Sequence, residues 1–95
     1  KVIAANIVHY INSVISDIET SSSDMNKHWA EMRAFAVCLQ FNYAAMISDS
    51  DLQSMAASMG TVPPTDTTGY AATLESIKDM LGTTYGFTAN DLANW

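Results

Sequence analysis

Basic residues are scarce in this chain. Only four of its 95 residues are Lys or Arg, and nothing gathers them into a stripe. A nucleic-acid surface needs such a stripe to meet phosphates, so that class of partner is excluded. Ten Asp and Glu leave a formal charge of -6, which also argues against docking on anionic lipid. Cysteine occurs once, at Cys38. One thiol closes no internal disulfide and builds no zinc site of the paired-cysteine kind. Ala36, Val37 and Leu39 around it mark Cys38 as a small buried hydrophobe rather than a reactive thiol. Long apolar runs are missing as well, all falling far below the roughly 20 residues that span a bilayer, so membrane insertion of this segment is not expected. No basic start leads into an apolar stretch with a small-residue cleavage site. The chain begins at Lys1 rather than Met and enters helical periodicity at once, as a mature or cut product would.

What is present is apolar material, 48% of the residues, enough for one packed domain. Ile3, Ile7, Ile11, Val14 and Ile18 recur at three- and four-residue steps. That is one stripe of a helix over about residues 2–19, with Asn6, His9, Ser13 and Ser16 on its other side. The β-branched content would suit a strand, but the length and the period outweigh it. The polar break 20–23 follows, where Ser23 or Asp24 offers a cap to a second helix over about 24–47. Met25, Trp29, Met32, Ala36, Leu39, Tyr43 and Ile47 form its stripe, and Phe35 and Met46 widen it. A face that wide predicts contact with more than one neighbour.

The Ser48-Asp49-Ser50-Asp51 break has N-cap character and opens a short helix with Leu52, Met55 and Met59 inward, stopped at Gly60. Pro63-Pro64 marks a loop. A fourth helix runs over about 69–85 on Tyr70, Leu74, Ile77 and Leu81, and ends at Gly86. Thr88 with Asp91 reads as a capping box for a last short helix that includes Leu92 and Trp95. The fold class is therefore all-α: an antiparallel helical bundle of about three main helices plus two short ones, a single unit over residues 1–95.

The chemistry-bearing constellation is His28 and Glu31, three apart on the second helix beside Phe35. The spacing sets them about 60° apart on one face. An imidazole and a carboxylate so placed can share one metal ion. The plainer reading is a half-buried His paired with Glu31 for structure. Other patterns are absent: di-iron bundles use the order Glu then His, zinc peptidases need two His four apart, and no nucleophile elbow occurs. His9, opposite the Ile stripe, reads as a solvated surface residue. Asp49 and Asp51 lack the glycine turn and later Glu of a calcium loop and read as helix-capping groups.

Two segments carry a resemblance. Lys27-His28-Trp29-Ala30-Glu31-Met32-Arg33-Ala34-Phe35-Ala36, continued by Leu39-Gln40-Phe41-Asn42, resembles a stretch of the bacterial family known as domain of unknown function 4856. Met80-Leu81-Gly82-Thr83-Thr84-Tyr85-Gly86-Phe87, closing on Asn90-Asp91-Leu92-Ala93-Asn94-Trp95, resembles that family's C-terminus, and the Gly60-x-x-Pro63 loop is also similar. The likeness extends from about Val2 to Trp95. It implies the C-terminal part of a longer, imelysin-like protein. Imelysin-like proteins are exported helical-bundle proteins of bacterial envelopes, with a Gly-x-His-x-x-Glu motif. His28 and Glu31 match its His and Glu, and Asn26 stands at the position of its Gly.

The absence of a nucleophile–base pair or complete metal set points to a non-catalytic module, and the resemblance implies one that is extracytoplasmic and holds a divalent metal ion or small ligand through His28 and Glu31. Its partner would be the remainder of a parent chain or another copy of itself. A metal-dependent hydrolase completed by residues outside this segment, and a purely structural packing module, are the alternatives.

Overall fold

The computed structural model describes residues 1–42 and 45–95. Among these residues it is a bundle of five helices: α1 (Val2–Thr20), α2 (Met25–Gln40), α3 (Asp49–Met59), α4 (Tyr70–Tyr85) and α5 (Ala89–Asn94). No strand occurs among the described residues. The expected all-α bundle is thus the fold, with α1, α2 and α4 as its main helices.

α1 buries Ala4, Ile7, Val8, Ile11 and Val14 along the face that the isoleucine spacing marks. Each Ile taken fully out of water contributes about 1.5–3 kcal/mol. Opposite them lie Trp29, Met32, Ala36 and Leu39 of α2 and Leu74, Ile77 and Leu81 of α4, all in one core. α1 and α2 run antiparallel, since Asp17 meets His28 while Tyr10 stacks on Phe35. The wide apolar face of α2 is explained by its two neighbours, α1 and α3.

A polar chain ties the third neighbour in. The Trp29 indole N–H donates to the Tyr70 hydroxyl at 2.8 Å, and that hydroxyl donates to the Met59 carbonyl at 2.7 Å. α2, α3 and α4 therefore meet at one satisfied aromatic pair. The short helices are set by their caps. Ser48 Oγ accepts from the Asp51 N–H at the start of α3. Thr88 and Asp91 form the reciprocal capping box of α5.

Three expectations change. The second helix ends at Gln40, not near Ile47. Its last turn tightens, with the Phe41 and Asn42 N–H groups reaching back three residues to the Cys38 and Leu39 carbonyls. Met46 lies beyond the helix and is exposed, Ile47 is buried from the connection to α3, and Tyr43 lies outside the described residues. Cys38 is exposed. It falls on the side of α2 away from the buried Trp29, Met32, Ala36 and Leu39, so apolar neighbours in sequence are not neighbours in space. Asp24 takes the N-cap position of α2 without a side-chain bond; Ser22 Oγ instead accepts from the Asp24 N–H.

Candidate functional site

The break between α1 and α2 creates the site. Ser21 takes a left-handed backbone, φ 55°, and the Ser22 N–H returns to the Asp17 carbonyl. This tight reversal lays the first turn of α2 beside the last turn of α1. Asp17, buried on α1, then faces His28 on α2. The His28 Nδ1 and Asp17 Oδ2 are 2.5 Å apart. A carboxylate on Nδ1 fixes the ring and leaves Nε2 as the outward nitrogen.

The aromatic surroundings hold the imidazole further. Tyr10 stacks on Phe35 at 5.6 Å, and its ring centre is 6.4 Å from that of His28. Glu31 acts on the Tyr10 phenol. Hydrogen bonding to that carboxylate, then desolvation, then the carboxylate's charge, push the Tyr10 pKa above its ordinary value. The Glu31 Oε1 is buried and meets no hydrogen-bond partner. Buried carboxylate oxygens are rarely left so.

The structure therefore keeps His28 and Glu31 at the same seam but gives them different partners. The partner of His28 is Asp17, not Glu31 as in the plainer sequence reading. A depression of ≈ 320 Å³ opens beside Asp17 and His28, lined also by Asn12, Ser13, Ser16 and Trp95 but not by Glu31. That is near the lower end for small-molecule sites. His9 is exposed, about two turns before Asp17 on α1, as expected. Among the described residues, no group of three or more His, Cys, Asp or Glu is placed to hold a metal ion.

Asp17 is the residue that sequence reasoning missed. Its signal was its register: it follows Val14 by three, the step the apolar stripe itself uses. A carboxylate in step with a buried stripe must find a partner. Lys78 carries the same signal on α4, four residues after Leu74. It is buried, and its Nζ donates to Asn12 Oδ1 at 2.9 Å and pairs with Glu75 at 3.2 Å.

Fold and site together define an all-α bundle with a polar seam between its first two helices. Comparisons with protein-family models, curated proteins and solved structures return no match for this chain. Among the described residues no helix is long and apolar enough to cross a membrane.

Proposed function

We propose that this chain is a non-catalytic helical module of an exported, imelysin-like bacterial protein, and that it holds a divalent metal ion or small ligand at the α1–α2 seam through His28 and Glu31. The observation that carries the reading is the Asp17–His28 contact. Metal-binding histidines characteristically give their other ring nitrogen to a carboxylate, which fixes the tautomer and raises ligand basicity. Here Asp17 takes that position on Nδ1, and Nε2 is the nitrogen left to bind. The unpartnered Glu31 Oε1 fits a second donor. Two donors are fewer than the three or four that protein sites supply, so water or a further segment completes the set. That further segment belongs to the remainder of a parent chain or to a second copy. Bound there, a metal ion would supply a Lewis-acidic centre for an anionic or neutral oxygen donor.

The test is calorimetric titration of the chain with Zn²⁺. The intact chain binds. His28→Ala abolishes binding, and Glu31→Gln weakens it. Asp17→Asn lowers affinity about 10–100-fold, the usual loss when a supporting carboxylate is removed.

A structural reading is favoured by the burial of Asp17. On that reading the pair is a lock between α1 and α2. Zn²⁺ then does not bind at all, and His28→Ala costs only folding stability. No observation among the described residues favours the hydrolase alternative.

A further inference from the structure

α5 is held differently from the other helices. It has six residues and buries none of them. A helix that short does not persist on its own in water. Three contacts dock it. The Asn12 Nδ2 of α1 donates to the Leu92 and Trp95 carbonyls, each at 3.0 Å. Leu92 lies over Gly82 of α4, where a Cβ would come within 2.7 Å of Leu92 Cδ1. Trp95 meets Phe87 edge-on at 4.7 Å.

Asn12 is the catch in this arrangement. Its Oδ1 accepts from the buried Lys78 ammonium at 2.9 Å, which fixes the amide with both hydrogens toward α5.

What α5 covers gives the docking a consequence. Trp95 is a wall of two separate depressions on α1. One is lined by Val2, Ala5, Asn6 and His9, the other includes Asp17 and His28. Lifting the indole merges them into one groove along the polar face of α1, with a histidine toward each end.

We propose that α5 is a latch over the His28 face, which opens by local unfolding about Gly86 while the bundle stays folded. Gly86 supplies the hinge, its φ of 73° being open to glycine at no steric cost. Elements with few buried contacts open at lower free energy than the whole fold. That opening governs ligand access rests on the proposed role of His28; the motion itself does not.

Amide hydrogen exchange and diethyl pyrocarbonate labelling of the full chain test the latch together. In the unaltered chain, amides of 89–95 exchange at least about tenfold faster than those of Leu74 and Leu81. Asn12→Ala removes both hydrogen bonds to the α5 carbonyls, along with the one from Lys78, and raises the α5 rate about another tenfold, and the His28 labelling rate rises with it. Leu92→Ala, on the latch itself and outside the core, moves both rates in the same direction; it decides alone if Asn12→Ala loses helicity. The proposal is overturned if α5 amides exchange as slowly as Leu74 in the unaltered chain. It is equally overturned if His28 labelling stays constant while α5 exchange accelerates. Neither readout involves metal, so failure of the Zn²⁺ reading and failure of the latch are distinguishable.

Discussion

Asp17 and Glu31 are two carboxylates on the same seam with opposite energetic roles. Asp17 is buried against an imidazole nitrogen, and deleting it leaves that nitrogen unpaired. Asp17→Ala is expected to cost about 1–3 kcal/mol in urea unfolding. Glu31→Gln removes a buried charge whose Oε1 has no partner, so it is expected to cost less than Asp17→Ala. Equal losses for the two would contradict this assignment. Glu31→Gln also returns the Tyr10 phenol toward its ordinary pKa, because Glu31 is the main cause of its rise. Tyr70 is raised as well, chiefly by burial, against the opposing effects of the Trp29 hydrogen bond and the Arg33 charge. For both phenols the sign is the same. Below the ordinary value of 10.0 both states are protonated and stability is fully present. Above it the unfolded chain releases its proton first, so stability falls as pH climbs toward the raised value. Phenolate absorbance during alkaline titration, in the intact chain and in Glu31→Gln, checks the direction. His28 was legible in the sequence because histidine beside an apolar stripe is conspicuous. Its partner was not, because Asp17 belongs to another helix, and only the Ser21–Ser22 reversal brings the two together.

Elements differ in how much of them their own residues determine. α1 was legible almost to the residue, since its period is unbroken and the serines end it. α5 was equally legible through Thr88 and Asp91, whose capping box forms as read. The end of α2 was not. The apolar residues at 46 and 47 continue the helical spacing, yet the chain leaves the helix at Phe41 to reach α3. Periodicity cannot tell a longer helix from a connection that buries Ile47 by another route. Cys38 shows the same limit, because its exposure depends on which faces α1 and α3 cover. The elements also differ in cooperativity. Leu74 is fully buried in the shared core, so Leu74→Ala is expected to cost about 2–5 kcal/mol and shift the global unfolding midpoint. Thr88→Ala removes a cap worth about 1 kcal/mol, but only from α5. It is expected to speed α5 amide exchange while leaving the global midpoint nearly unchanged. A midpoint shift as large as that of Leu74→Ala would mean that α5 folds with the core.

At the scale of the whole molecule, a hydrophobic core holds three long helices, and polar clusters sit where they meet. Asp17–His28 orients one seam, and Lys78–Asn12 fastens the latch beside it. The bundle itself was legible, as helical periods dominate every long apolar pattern. The clusters were not, since each joins residues of different helices, 11 positions apart for Asp17 and His28 and 66 for Asn12 and Lys78. The central claim is that Asp17 holds the His28 ring so that Nε2 is the nitrogen available to a ligand. Long-range proton–nitrogen correlation of the His28 ring tests it most directly, at a pH where the ring is neutral, before and after adding Zn²⁺. The account predicts the tautomer protonated on Nδ1, with a bare Nε2 whose resonance alone moves when Zn²⁺ is added. A ring protonated on Nε2, or a bare Nε2 that Zn²⁺ leaves unmoved, would contradict it.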